Sequence, residues 1–275
     1  MRDLLKADIK RVLKDKLFIV ISILAVAFAL ITPLLTKALV ELISIEESSG
    51  MGMEMLEMQL TAKSMFFSSF SPGNNFGLIL PIMMAIILCK DFNQGTVRNK
   101  IICGKSRSEI YFSMLTTCVI FMCSFVLIQA VLTLLFSLVF FDYQVGGFTA
   151  GDFGYLMASI GFEILVYFFI CALLTFFIVF MKNAGLAIVM YFVVSFVFMI
   201  VGTITQTTIA FVSPNGTAYA ILEFLNTVNV FTSLAIGNGT SYTIFEVLSL
   251  TLPNIAFTVV LAIAGWLVFK KKDLK

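Results

Sequence analysis

Charged side chains fall in bursts along this chain, and between the bursts lie long apolar stretches. The charge-free runs are Leu17–Thr36, Ser64–Cys89, Ile110–Phe141, Ile164–Met181, Asn183–Leu222 and Val247–Phe269. Crossing a bilayer as a helix takes about 20 mostly apolar residues. The pattern therefore predicts six membrane-spanning helices over 17–39, 74–92, 110–140, 155–181, 185–211 and 249–269. The second is the shortest, because Ser71-Pro72-Gly73 breaks whatever precedes it. The first apolar run begins only at Leu17 and has no small-residue cleavage site before its polar flank, so it reads as a retained span. Segment 213–248 is long and nearly uncharged, and it admits two readings. It is either a seventh span near 217–236 or two short helices dipping into the outer leaflet, packed against protein.

Composition agrees with the pattern. Hydrophobic residues make up 60% of the 275 positions and charged residues 12%, where a soluble domain carries about a quarter charged. A soluble chain of this size needs a polar shell that these residues do not supply.

The distribution of charge sets the topology, since Lys and Arg collect on the cytoplasmic side. Arg2, Lys6, Lys10, Arg11, Lys14 and Lys16 precede the first span. Lys90, Arg98, Lys100, Lys105 and Arg107 fall between the second and third. Lys182 separates the fourth from the fifth, and Lys270, Lys271, Lys272 and Lys275 follow the last. Only Lys37 and Lys63 fall elsewhere. The segment 40–63 carries Glu41, Glu46, Glu47, Glu54 and Glu57 instead. Six spans with both termini in the cytoplasm account for all of this, whereas a seventh would put the terminal lysines outside. The expected fold class is all-α, a single polytopic membrane domain over 1–275.

Two cytoplasmic segments carry mechanistic content. Residues 1–16 form an amphipathic helix, with Leu5, Ile9 and Val12 on one face and Lys6, Lys10 and Lys14 opposite. Such a helix lies in the headgroup layer, with its cations toward anionic lipid. Between the second and third spans, a short helix begins near Thr96. Val97, Ile101 and Ile102 share one side of it, and Gly104 suits its stop. Ser106 and Glu109 then form an S-x-x-E capping box that opens the next helix. The 96–109 region is thus a basic amphipathic element held between two spans, suited to docking in a groove on a soluble partner.

This arrangement resembles the permease subunits of ATP-binding-cassette exporters of the type-2 class (the ABC-2 family). There an acidic residue after the second helix precedes Gly-Thr, a basic stretch, and Ser-Arg before the third helix; Asp91, Gly95, Thr96, Arg98, Ser106 and Arg107 fit that order. Residues 1–15 match the family's interfacial elbow helix, 213–248 its re-entrant outer helices, and Phe269-Lys-Lys-Lys-Asp-Leu-Lys its basic end. Asp91 stands where Glu is commoner, Gly104 where Pro is frequent, and Tyr111-Phe112-Ser113 where a Lys often starts the third helix.

The resemblance implies a permease that is not itself an enzyme. It implies two ATPase subunits carrying ATP and magnesium, a second permease subunit (identical or homologous), and a bacterial plasma membrane location. Asp91, Gly95, Thr96, Arg98, Ile101, Ser106, Arg107 and Glu109 would couple to the ATPase. The expected substrate is hydrophobic or amphipathic: an antimicrobial peptide, a drug or a lipid-like molecule. The chain has no G-x-x-x-x-G-K-[ST] loop, so a separate subunit must supply the energy.

The remaining chemistry is sparse. There is no His, which removes imidazole ligands, nucleophile activation and proton shuttling by His. Cys89, Cys103, Cys118, Cys123 and Cys171 fall in spans or on the cytoplasmic side, so neither disulfides nor a metal site is expected. Met51, Met53, Met55 and Met58 form a Met-rich outer stretch without other soft ligands in sequence. Asn215 and Asn238 match glycosylation acceptors in turn sequences. Glu163 is the one acid inside a predicted span, about two turns from its outer end, and is a candidate for the translocation path. The competing readings are a secondary transporter working alone, which usually shows internal repeats, and an intramembrane enzyme built on Glu46-Glu47. No nucleic-acid partner is expected.

Overall fold

A computed structural model of the chain describes residues 2–46, 61–70, 79–143, 149–213, 216–231 and 244–272. These residues are helical almost throughout. In chain order the helices are α1 (Arg2–Lys14), α2 (Lys16–Glu46), α3 (Ala62–Ser68), α4 (Ile79–Asn93) and α5 (Thr96–Ile102). They continue with α6 (Arg107–Phe140), α7 (Ala150–Met181), α8 (Ala184–Ile209), α9 (Thr217–Val228) and α10 (Ile244–Lys271). Five of them, α2, α6, α7, α8 and α10, are long and apolar enough to cross a membrane. The chain is a multi-spanning, all-α membrane protein.

The long helices follow from the charge-free runs, and their ends from local chemistry. Asp15 opens α2, its carboxylate accepting from the Leu17 amide at 3.0 Å. Asn183 opens α8, accepting from the Gly185 and Leu186 amides. Lys182, left-handed with φ 56°, closes α7 just before it. The α7–α8 connection is therefore a two-residue reversal, and the two helices run antiparallel.

α7 is the central element. Its most apolar window is 67% buried, against 17–39% for the other four spans, and it packs on α4, α6, α8 and α10. α2 packs chiefly on α6, leaving Ile19, Val20, Ile23, Leu24 and Leu35 exposed. In a bilayer such faces meet lipid or another protein.

α4 differs from the others. At 15 residues its rise is about 22 Å, short of the hydrocarbon thickness of about 30 Å. Yet it is buried nearly all round, through Leu80, Pro81, Met83, Met84, Ile87 and Leu88. It falls within the predicted second span, 74–92, apart from its last residue; 71–78 lie outside the described residues.

α9 is 12 residues long with no buried side chain, and it rests on α8 and α10. Its rise of about 18 Å is too short to cross hydrocarbon. This disfavours the alternative of a span from 217 to 236; residues 232–243 lie outside the described set. So do Met51, Met53, Met55, Met58, Glu47, Asn215 and Asn238.

Candidate functional site

The basic residues gather at one end of the bundle, and there the apolar protein buries a compact set of charges. It starts from α1. Leu4, Asp8 and Val12 form the buried stripe of that helix, which packs on α6 and α2. This corrects the face expected from Leu5, Ile9 and Val12. The buried side is rotated toward Leu4, Leu5 and Ile9 are only half-buried, and an acid sits at its centre. Lys6, Lys10 and Lys14 point outward as expected.

Asp8, 3% exposed, accepts from Lys100 Nζ at 2.6 Å and from Ser113 Oγ at 2.7 Å. Asp91, 1% exposed at the end of α4, pairs with the Arg11 guanidinium and lies 3.7 Å from Lys100 Nζ. Arg11 also reaches Asp8 at 3.9 Å. Two acids and two bases from α1, α4 and α5 thus neutralise one another, with α6 contributing the Ser113 hydroxyl. A second pair, Lys90 Nζ to Asp15 Oδ2 at 2.6 Å, ties α4 to the start of α2.

Burial lowers the proton affinity of Arg11 and Lys100 below their ordinary values, with Asp8 pulling the other way on both. Partial burial works to raise the Asp15 pKa, but the hydrogen bonds from Lys90 and the Leu17 amide outweigh it and the net direction is down.

The backbone around α5 is built to hold this cluster. Gly95 is left-handed, φ 70°, which turns the chain from α4 into α5 within two residues. Gly104, φ 81°, ends α5: its amide donates to Ile101 O at 2.9 Å and the Lys105 amide donates to Lys100 O at 3.1 Å. These are the two bonds of a Schellman stop. The Ser106–Glu109 capping box forms as the sequence indicates, with both reciprocal bonds present.

Arg107 then reaches across to α10. Its Nη1 donates to the Lys270 and Lys272 carbonyls at 2.8 and 2.9 Å, filling acceptors left over at a helix end. Trp266 Nε1 donates to Ser108 Oγ at 2.9 Å. Lys272 Nζ in turn donates to the Val179 carbonyl of α7 at 2.7 Å and to that of Phe180. α5 is therefore tied to the bundle in two ways: by charges through α1 and α4, and by hydrogen bonds from the start of α6 to α10 and on to α7.

The coupling candidates sort by direction. Asp91 and Arg107 point into the protein. Gly95, Thr96, Ser106 and Glu109 shape the backbone around α5. Ile101 is half-buried against the core. Arg98 and Ser106 are the exposed ones among them. Ile102, expected beside Val97 on the buried side, is instead 73% exposed. The outward face of α5 is Arg98, Asn99, Ile102 and Cys103.

Farther into the bundle, between α1, α2 and α6, lies an apolar cleft of about 350 Å³ lined by Ile9, Phe18, Ala25, Phe121, Phe125 and Gln129. Glu163 is fully buried on α7. That helix begins at Ala150, five residues before the predicted start. Glu163 therefore lies roughly three and a half turns from the N-terminal end of α7, deeper than the two turns expected.

All five cysteines are free thiols. Among the described residues no group of three or more Asp, Glu, Cys or His is placed to hold a metal ion. Sequence reasoning missed Asp8, Arg11 and Lys100. The available signal was Asp8 itself, four residues from both Leu4 and Val12 on the buried stripe.

The family described as a protein of unknown function (DUF2705) matches residues 17–275, and the chain belongs to it. The match takes in Asp91 and Lys100 and begins after Asp8 and Arg11. No curated protein matches the chain.

Proposed function

We propose that this DUF2705 member is the membrane-spanning subunit of an ATP-driven exporter of the ABC-2 type. In this reading the basic end faces the cytoplasm, α4 completes six spans, α1 is the elbow helix and α9 belongs to a re-entrant outer region. Two ATPase subunits, which bind the ATP and magnesium, dock on α5, and a second permease subunit, identical or homologous, completes the transporter in a bacterial plasma membrane. The observation that carries the reading is α5: a short helix with an exposed Arg98–Ile102 face, locked from behind by buried charges. A rigid element of that kind transmits a push from a soluble partner. The apolar cleft beside α2 and α6 suits a hydrophobic or amphipathic substrate.

The test is purification of the tagged full chain in mild detergent, followed by mass spectrometry and an ATPase assay. A nucleotide-hydrolysing subunit should co-purify, and Arg98→Glu together with Ile102→Ala should release it while the chain stays folded. A chain that purifies alone and still transports in vesicles without ATP would favour the secondary-transporter reading, which draws its support from the buried acid Glu163.

A further inference from the structure

Glu163 is the deepest ionisable acid in the described bundle. It is 0% exposed, and neither carboxyl oxygen has a hydrogen-bond partner among the described residues. Thirteen residues separate it from the start of α7 and eighteen from its end. It therefore sits about 20 Å from one end and about 27 Å from the other. No described cation pairs with it. On α6 the titratable groups of the spanning part are Tyr111, toward the basic end, Cys118 and Cys123, and the last interacts electrostatically with Glu163. α8 offers Tyr191. α4 offers Cys89, Lys90 and Asp91 and α10 offers Lys270 and Lys271, all toward the basic end, while Glu246 of α10 falls near its start. An ionised carboxylate at such a depth without a partner is costly, by about 3 kcal/mol on insertion scales and more in others. A proton removes that cost.

The neighbouring positions show where a proton enters. Residues four apart form one ridge of a helix. On α7 that ridge reads Tyr155, Ser159, Glu163, Tyr167, Cys171, Thr175, all buried. Toward the basic end the ridge is closed. Thr175 spends its hydroxyl on the Cys171 carbonyl at 2.6 Å, and the Cys171 thiol contacts the Met122 sulfur at 3.0 Å.

Toward the opposite end the ridge has a polar group with hydrogen-bonding capacity to spare. Ser159 Oγ has no hydrogen-bond partner among the described residues, one turn above the empty oxygens of Glu163. Above it, Tyr155 packs on Phe67 of α3. The Lys63–Asp152 pair stands at the mouth. Across from this half, α6 buries Gln129, Thr133 and Ser137, again four apart.

We propose that Glu163 is a proton-binding site inside the membrane, exchanging with the end opposite the basic cluster along Ser159 and Tyr155. In this proposal the buried, unpartnered carboxyl carries a proton while the site is closed. A rearrangement that admits water beside Ser159 lets the proton pass from the Glu163 carboxyl to that water and out as hydronium, leaving the carboxylate solvated. The site stands under either transport reading.

The test uses the intact chain in lipid vesicles. Infrared spectroscopy should show the carbonyl band of a protonated carboxylic acid that is lost in Glu163→Gln and regained in shifted form in Glu163→Asp. Gln matches Glu in shape, so the variant keeps the fold. A hydrophobic carbodiimide, which attacks protonated buried carboxyls, should label Glu163 and leave Glu163→Gln unlabelled at that position. Transfer to heavy water should shift the band, several-fold more slowly in Ser159→Ala and Tyr155→Phe. A wild-type chain without the band, or a band unchanged in Glu163→Gln, overturns the site. Exchange at the same rate in both ridge variants overturns the route.

Discussion

At the residue scale, the charges at the basic end behave as one unit. Removing one member of a buried ion pair leaves the other uncompensated, typically at about 3–5 kcal/mol. Lys100 is the shared base of Asp8 and Asp91. Lys100→Met should therefore cost stability in that range, read as a drop in the detergent melting midpoint. Asp8→Asn combined with Lys100→Met should recover part of the loss, and a strictly additive double variant would show that the charges act separately.

The Lys90–Asp15 pair gives a pH dependence. The folded pKa of Asp15 lies below its ordinary 3.8, so the unfolded chain binds the proton more readily. The pair's contribution is complete above that value and is lost as pH falls through the folded one. The acid limb of a melting-point profile should be shallower in Lys90→Met; an unchanged limb would remove Asp15 from the account. Little of this was legible in sequence. Asp91 was singled out by its place in a motif, but its partner Arg11 comes from a helix 80 positions earlier in the chain, and no local pattern records such a pairing. Asp8 looked like an ordinary polar residue of an amphipathic helix.

At the element scale, much more was readable, because helix limits depend on neighbours in sequence. The long spans, the Gly104 stop and the Ser106–Glu109 box all stand where charge gaps and capping rules put them. Ser106→Ala should weaken the α5–α6 corner by about 1 kcal/mol, visible as faster amide exchange across 106–109 with the spans unaffected. The orientation of short helices was less readable. Ile102 turns outward because α5 is less than two turns long and its facing is set by Val97 and Lys100.

Gly265 on α10 gives a further case. A Cβ there would run into the Tyr111 hydroxyl of α6, and Tyr111 is fully buried. Small residues let membrane helices approach in this way. Gly265→Ala should destabilise the fold by about 1–3 kcal/mol, and Tyr111→Phe in the same chain should relieve part of it. A neutral Gly265→Ala would mean the two helices are free to part.

At the scale of the whole molecule, sidedness is open to direct measurement with a residue the protein already has. Cys103 is exposed at the end of α5, while Cys89, Cys118 and Cys171 are buried and Cys123 is half-buried. A membrane-impermeant maleimide should label Cys103 only after the membrane is opened or inverted; labelling of intact cells would reverse the orientation proposed here. The multi-spanning arrangement was legible because lipid imposes a length on every crossing, and five of the predicted spans are long apolar helices. The central place of α7 and the enclosure of α4 were not, since both arise from how spans choose partners.

The enclosure of α4 bears on how the chain is made. Synthesis runs from the N-terminus, so α4 emerges before α6, α7, α8 and α10 exist, yet those helices supply most of its walls. For that interval α4, which carries Lys90 and Asp91 near its end, has only α1, α2 and α3 for company among the described helices. Asp15 and Arg11, already made, are the first ions it meets. Nascent chains stopped just past Lys105 should then hold α4 in place less well with Asp15→Asn or Arg11→Met than with the unchanged sequence.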